Sequence, residues 1–240
     1  MDRSISIVVP VYNEGVLVWR SIRRLIAALK IHKYRRYEII LIENGSRDDS
    51  LKYCQQLSQQ YPKQVMTSQL DYPSYGQAIK TGILMAKNEL IVIFNVDYWD
   101  VNFLTEALTL MPPAEIVVGS KTLVTSRDER PAIRKLTTYF FNSLIRLIFN
   151  FQGTDTHGIK VIDRDLAVRL VKKCRALNEL LDTELILRAC REKRRYFELP
   201  VKVHEVRPSR YNNWRRAYNT SIDMLTVFKT KIYDLSHQRR

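Results

Sequence analysis

The sequence has 240 residues, 45% of them hydrophobic, which is enough to bury the core of one globular domain. Lys and Arg number 39 against 25 Asp and Glu, so the formal charge of +14 favours polyanionic partners such as phosphorylated substrates or anionic lipid headgroups. The seven glycines and the lack of a low-complexity tract argue against a disordered RNA-binding chain. The basic residues form no nucleic-acid motif, so no nucleic-acid partner is expected.

Three further patterns bear on location. The three cysteines are widely separated, and their spacing matches neither a zinc site nor a disulfide framework. The N-terminus lacks the basic region and long apolar stretch of a signal peptide. No segment approaches the roughly 20 apolar residues of a membrane-spanning helix. Together these patterns predict a cytoplasmic protein that does not cross a membrane by itself.

Strand and helix patterns alternate along the first half of the chain. Short β-branched runs predict buried strands, and apolar residues at helical spacing predict the helices between them. The predicted elements are, in chain order, a strand at 5–11, a helix at 16–31, a strand at 37–42, a helix at 51–60, a strand at 65–70, a helix at 76–86 and strands at 90–94 and 115–119. This alternation predicts an α/β fold with a mostly parallel, Rossmann-like sheet flanked by helices.

Polar residues follow three of these predicted strands, at the point where each strand ends. They are Tyr12-Asn13-Glu14, Glu43-Asn44-Gly45-Ser46 and Asn95-Val96-Asp97. Ligands of parallel α/β sheets gather at the carboxyl ends of the strands. We therefore expect the three clusters to meet at one edge of the sheet and form a binding site.

Several spaced motifs then occur in an order that resembles a known family. They read IVVPVYNE, IILIENGSRDDS, GQAIKTGILMAKNELIVIFNVD, IVVGSK, DTHGIKVIDR, LLDTELILRA and ELPVKVHE. The order is similar to the family 2 glycosyltransferases of the GT-A fold, and within them to the dolichyl-phosphate mannose and glucose synthase group. The resemblance covers about residues 5–206. It implies one GT-A domain at 1–206, with a nucleotide-sugar-binding half at 1–120 and an acceptor half at 121–206, followed by a tail at 207–240.

The resemblance assigns roles to residues of the first half. Those expected to bind the nucleotide sugar are Pro10, Tyr12, Glu14, Glu43, Asn44, Gly76, Asn95 and Asp97. Gly76, with Ala78 and Gly82, matches a segment where small residues let the backbone approach the donor. Asn95 and Asp97 stand where the family has its Asp-x-Asp, which implies a divalent cation, Mg²⁺ or Mn²⁺. Because Asn95 replaces the first carboxylate, one negative charge is missing and a weaker metal site is expected.

Other matches fall in the acceptor half. The resemblance implies that Lys121, Arg134, His157 and Lys160 bind an acceptor phosphate. Asp182 and Glu184 stand where many relatives place a general base, so they are candidate catalytic residues together with Asp97. An equally weighted alternative is that Asp182 and Glu184 are an N-cap and a first-turn acid of a helix at 184–191.

Two amphipathic segments suggest a membrane surface. Aromatic and aliphatic residues at helical spacing occur at 139–151 and again, among basic residues, after Trp214. An anionic membrane surface is one expected partner. The alternative, of nearly equal weight, is that the C-terminal stripe docks on the core of the protein or on a second subunit, so that a homo-oligomer or a membrane protein is the partner.

The sequence thus predicts an inverting hexosyltransferase that uses a UDP- or GDP-sugar and glycosylates a polyprenyl or dolichyl phosphate. A phosphate acceptor needs no base, since a phosphate monoester is largely dianionic near neutral pH. Two alternatives remain open: transfer to a hydroxyl of a saccharide or small metabolite, and a non-catalytic binding subunit with the same fold.

Overall fold

The computed structural model describes residues 3–129, 132–178 and 180–203, without the side chains of Asp128, Ile133 and Arg134. The predicted tail helix therefore lies outside the described residues. The strands are β1 (Ile5–Val11), β2 (Tyr37–Asn44), β3 (Val65–Leu70), β4 (Leu90–Ile93), β5 (Ile116–Ser120), β6 (Arg127–Asp128), β7 (Lys160–Asp163), β8 (Tyr196–Pro200) and β9 (Lys202–Val203). The helices are α1 (Val16–Ile31), α2 (Ser50–Gln60), α3 (Tyr75–Met85), α4 (Val101–Leu110), α5 (Ala132–Phe149), α6 (Arg164–Lys173) and α7 (Leu181–Arg191).

One seven-stranded sheet organises the chain, in the order β3-β2-β1-β4-β7-β5-β8. β1 to β4 pair in parallel. β7 is antiparallel to both β4 and β5, and β8 is parallel to β5. Within the described residues, β7 therefore runs against the other strands of this sheet. The short strands β6 and β9 form a separate parallel pair.

Helices cover both faces of the sheet. The central strands are buried on both sides, as their continuous Val and Ile runs require. On one face the strands pack against apolar residues of α1, α2 and α4. On the other face they pack against α3, α6, α7 and Ile145 of α5. The prediction of a mostly parallel α/β sheet flanked by helices is confirmed.

The second half of the chain differs from expectation in three places. α5 begins at Ala132 instead of residue 139, and Phe151, predicted to belong to its surface stripe, is buried after the helix has ended. α7 begins at Leu181, and its N-cap residue Leu180 has no side-chain cap, so Asp182 lies inside the first turn and is not an N-cap. Among the described residues, none of the helices combines the length and apolarity that crossing a bilayer requires.

Candidate active site

The strand directions bring the predicted polar clusters to one edge of the sheet. β1, β2 and β4 are parallel, so residues 12–14, 43–46 and 95–97 leave the sheet on the same side. Because β7 runs the other way, its first residue, Lys160, lies at this edge as well and pairs with Ile93 of β4. Lys121 follows β5 at the same edge. The expectation of a shared edge is confirmed.

Hydrogen bonds lock the loops after β1 and β2 together. The backbone N–H of Asn13 donates to Ser46 Oγ (2.9 Å), and the N–H of Glu14 donates to Ser50 Oγ (2.8 Å). Asn13 adopts a positive φ of 51°, which places it in the left-handed region that Asn tolerates better than most residues. The half-buried side chains of Tyr12 and Glu14 therefore project from a rigid loop. Pro10, which is also half-buried, lies within β1 just before this loop.

Glu43 and Asn44 are more deeply buried than residues that read a nucleotide need to be, since each is 1% exposed. Glu43 Oε1 accepts the N–H of Ser46 (2.6 Å) and closes its own turn. Asn44 Oδ1 accepts the N–H of Ser74 (2.7 Å) and fixes the loop that enters α3. Both side chains therefore stabilise loops at this edge of the sheet. Their contact with a base or ribose stays a prediction.

Packing requires two of the small residues of α3, Gly76 and Gly82, to lack a side chain. A Cβ on Gly76 would lie 2.6 Å from the backbone carbon of Leu177, and a Cβ on Gly82 would lie 2.2 Å from a methyl of Val8. Gly76 thus lets α3 approach the 177–178 backbone. The contact of Gly76 with the donor stays a prediction.

The turn after β4 carries Asn95 and Asp97. Asp97 is exposed and Asn95 half-buried. Asp100 Oδ1 caps α4 by accepting the N–H groups of Asn102 and Phe103, so Asp97 is not the cap of that helix. The Trp99 indole N–H donates to Ser21 Oγ (2.8 Å).

In the parts of the chain that the structure describes, no three His, Cys, Asp or Glu side chains group in a way that could hold a metal ion by themselves. One exposed carboxylate and one amide at a strand end fit a cation whose other ligands come from a diphosphate and water, which is the usual arrangement for Mg²⁺.

Lys121 is anchored by a carboxylate that the sequence analysis did not single out. Its Nζ lies 3.5 Å from Asp155 Oδ2, and its side chain is 15% exposed. Asp155 Oδ1 accepts the N–H of His157 (2.9 Å). Burial alone would raise the pKa of Asp155. The Lys121 ammonium and the backbone N–H groups of His157 and Lys121 nevertheless hold this pKa below its usual value. Asp155 therefore stays ionised and orients both residues.

Lys160 and Asp182, predicted for different roles, form one buried ion pair. Lys160 Nζ lies 2.9 Å from Asp182 Oδ1, and the two side chains are 1% and 2% exposed. The hydroxyl of Tyr75 donates to Asp182 Oδ2 (2.9 Å). Because both groups are buried, each charge is compensated by the other.

Glu184 is committed to the fold. Its Oε2 accepts the backbone N–H groups of Arg175 and Ala176, both at 2.8 Å, and its Oε1 pairs with Arg188 one turn along α7. These contacts tie the loop after α6 to α7, and they favour the first-turn structural role over that of a base.

His157 lies half-buried between the acceptor-side residues and α5. Its ring packs edge-on against Phe141 with 5.3 Å between centroids, and Thr156 Oγ1 lies 3.2 Å from its Nδ1. Burial lowers the pKa of His157 below its usual 6.5, although the Asp182 carboxylate opposes this shift. The neutral ring is therefore favoured in the folded protein.

This burial predicts a pH effect on stability. Below pH 6.5 the unfolded chain binds a proton at His157 that the folded chain resists, so the free energy of unfolding decreases as the pH falls through that value. When the pH is lowered from 7.5 to 5.5, we expect the melting temperature of His157→Gln to decrease less than that of the wild type. The exposed His32→Gln is the control and should behave as wild type. An unchanged loss in His157→Gln would contradict this assignment.

Glu198 was also missed, although it stands within the last motif. Its Oε1 accepts the N–H groups of Thr154 (2.8 Å) and Asp155 (3.0 Å) and the hydroxyl of Tyr196 (2.6 Å). It thereby holds the turn that contains Asp155 and His157. The side chain of the predicted acceptor residue Arg134 lies outside the described residues.

The model of Glycosyl transferase family 2 matches residues 6–171. The chain belongs to this family. The match confirms the prediction of a glycosyltransferase, and with it the resemblance on which the site assignments rest.

Two relatives illustrate the family. The dolichyl-phosphate beta-glucosyltransferase of Saccharomyces cerevisiae is 23% identical over an alignment that covers 84% of this chain and 67% of that protein. The undecaprenyl-phosphate 4-deoxy-4-formamido-L-arabinose transferase of Pseudomonas savastanoi pv. phaseolicola is 37% identical over 95 residues, covering 39% of this chain and 28% of that protein. The chain thus spans at most about two thirds of these relatives.

Solved structures share the fold. Glucosyl-3-phosphoglycerate synthase from Mycobacterium tuberculosis, in complex with Mn²⁺, UDP and phosphoglyceric acid, superposes with a TM-score of 0.66 at 16% identity. The superposition covers 95% of this chain and 79% of that one. It confirms the GT-A architecture.

Proposed function

We propose that this family 2 glycosyltransferase transfers a hexosyl group from a UDP- or GDP-sugar to a polyprenyl phosphate at a membrane surface. An acceptor phosphate oxygen would form the new bond to the anomeric carbon while the bond to the nucleoside diphosphate breaks, which inverts that carbon. The names of the dolichyl-phosphate and undecaprenyl-phosphate relatives support this acceptor class.

The proposal rests on the contacts of Asp182 and Glu184, the two residues predicted as candidate general bases. Asp182 is neutralised by Lys160 at 2.9 Å and also accepts a hydrogen bond from Tyr75. Glu184 is engaged by two backbone N–H groups and Arg188. A hydroxyl acceptor needs a base within hydrogen-bond reach, whereas a phosphate arrives ionised. These contacts therefore favour the phosphate acceptor.

Basic groups at the acceptor side support the same conclusion. Lys121 lies at the shared edge, oriented by Asp155 and still partly exposed. Lys160 lies at the same edge of the sheet but is buried in the ion pair with Asp182. A phosphate placed near Lys121 would gain a point-charge contact. Binding and orientation of the two substrates would then supply much of the rate.

A divalent cation completes the proposed donor site. Asp97 and Asn95 are the residues that would hold it, with diphosphate oxygens and water as the remaining ligands. When bound, Mg²⁺ or Mn²⁺ would neutralise the charge that develops on the departing diphosphate. The loops after β1 and β2 would bind the nucleotide, with the half-buried Tyr12 and Glu14 at the shared edge of the sheet.

α5 presents the surface proposed to meet the membrane. Its side chains Leu136, Tyr139, Phe140 and Leu147 are between 63% and 83% exposed, and they recur at helical spacing. On its other side α5 packs Phe141 against His157 and inserts Ile145 into the core, so the helix that carries the apolar stripe borders the acceptor side. Peripheral attachment at the cytoplasmic side is part of the proposal.

The role of the α5 stripe in membrane binding can be tested at Phe140, whose exposed side chain can be replaced without disturbing the fold. We expect Phe140→Glu to weaken binding to phosphatidylglycerol-containing vesicles by about tenfold or more, since burying one Phe in lipid contributes roughly 1.5–3 kcal/mol. Vesicle sedimentation measures this, with equal melting temperatures for variant and wild type. Ile31→Glu, at an exposed apolar residue ending α1, is the control with the same change of charge. Equal losses in both variants would remove α5 from the proposal.

The reaction itself is tested with labelled UDP- and GDP-sugars, Mg²⁺ or Mn²⁺, and either a polyprenyl phosphate or a panel of saccharide hydroxyl acceptors. A lipid-linked product is expected, and its formation should survive without the saccharides. Product on a saccharide alone would replace the proposal with transfer to a hydroxyl. Absence of product with both acceptor classes, despite donor binding, would also count against it.

A further inference from the structure

The turn that carries Asp97 is hydrogen-bonded to the hydroxyl of Ser21, a residue of α1. Ser21 is buried, at 7% exposed, and its hydroxyl donates to the carbonyl oxygen of Val96 (2.5 Å). The same oxygen of Ser21 accepts the indole N–H of Trp99 at 2.8 Å. Ser21 therefore joins the residue before Asp97 to the residue two positions after it.

The rest of the turn leaves little freedom around this link. Asn95 and Tyr98 exchange two backbone hydrogen bonds of 3.0 and 3.3 Å, which close the turn. The N–H of Phe94 donates to Val8 of β1, so the start of the turn is fixed to the sheet. Asp100 caps α4 and fixes its end. The Val96 side chain is buried.

The Val96 carbonyl belongs to the same planar peptide unit as the nitrogen and Cα of Asp97. A hydrogen bond to that carbonyl fixes the orientation of the plane, and the plane determines from which direction the Asp97 side chain leaves the backbone. Trp99 cannot serve as a metal ligand in this arrangement, because an indole N–H is only a donor and is already bonded.

We propose that Ser21 and Trp99 are positioning residues that orient Asp97 for a metal-bound nucleoside diphosphate. This inference rests on the function proposed above, in which Asp97 holds the cation. In this proposal neither residue binds the ligand directly. Ser21 acts through the Val96–Asp97 peptide, and Trp99 keeps the Ser21 hydroxyl directed toward it.

The test measures Mn²⁺ binding by electron paramagnetic resonance of the free ion, in the presence of UDP and, separately, GDP. Ser21→Ala removes both hydrogen bonds, and we expect its Mn²⁺ dissociation constant to rise about tenfold, as for other residues that orient metal ligands. Trp99→Phe keeps the bond from Ser21 to Val96, and a rise of about fivefold is expected from the loss of one hydrogen bond. Melting temperatures establish that each variant is folded.

Ser58→Ala is the matched control, because Ser58 also lies on a helix and donates to a backbone carbonyl, that of Cys54 (3.2 Å), away from the turn. Its Mn²⁺ affinity should stay at the wild-type value. Unchanged affinity in folded Ser21→Ala would overturn the inference; if that variant does not fold, unchanged affinity in Trp99→Phe would do so. A wild type that binds neither Mn²⁺ nor nucleotide would instead overturn the proposed function, and this inference with it.

Discussion

Asp182→Asn is expected to lower the melting temperature of this protein by about 10 °C. The substitution leaves the Lys160 ammonium buried without its counter-charge, and breaking a buried pair in this way costs roughly 3–5 kcal/mol. The double variant Lys160→Met, Asp182→Asn removes both charges, and the new amide can still accept the Tyr75 hydroxyl. It should recover most of the lost stability in thermal unfolding followed by circular dichroism.

The same variant separates the two acceptor classes. Loss of a general base typically costs 10²- to 10⁴-fold in rate, whereas a phosphate acceptor requires no base. Assayed well below its melting temperature, Asp182→Asn should therefore glycosylate polyprenyl phosphate within about tenfold of the wild-type rate. A folded variant that has lost turnover while still binding the donor would identify Asp182 as a base after all. A double variant as unstable as the single one would contradict the charge argument.

Asp97→Asn is expected to reduce turnover by about 100- to 1000-fold, the usual cost of removing a group that stabilises developing charge. Asp97 is exposed, so the melting temperature should not change. Calorimetric titration with UDP and GDP provides a second measurement, because nucleotide affinity in the variant should no longer rise when Mn²⁺ is added.

Asp165→Asn provides the control for this prediction. Asp165 is 93% exposed on its side chain, and it follows β7 at the opposite edge of the sheet. The same loss of a surface carboxylate at that edge should leave turnover and Mn²⁺ dependence unchanged. If Asp97→Asn retained Mn²⁺-dependent nucleotide binding, the cation would have to be held elsewhere.

The donor half was predicted well because its information is local. The strands β1, β2 and β4 are short runs rich in Val and Ile, and each helix between β1 and β4 has its own apolar periodicity. Parallel pairing through crossovers then leaves few arrangements, so the shared edge of the three polar clusters followed from the order of the elements. The observed bounds of these strands and helices differ from the predicted ones by two residues at most.

The acceptor half contained less local information. β7 has four residues, and its insertion between β4 and β5 against their direction depends on pairing partners far along the chain. Spacing likewise could not reveal that Asp182 pairs with Lys160, because β7 and α7 meet only in the folded molecule. Glu198 is a similar case, since it supports a turn more than 40 residues away in sequence.

The sequence by itself determined the fold class, the edge of the sheet at which the polar clusters meet and the family, since these depend on periodicity, strand-end residues and motif order. Tertiary structure decided what each polar residue does there. Burial turned Glu43, Asn44 and Glu184 toward backbone N–H groups, and it made the charge of Asp182 depend on Lys160. The physical reason is that a polar group removed from water must find its partner nearby in space, wherever that partner stands in the chain.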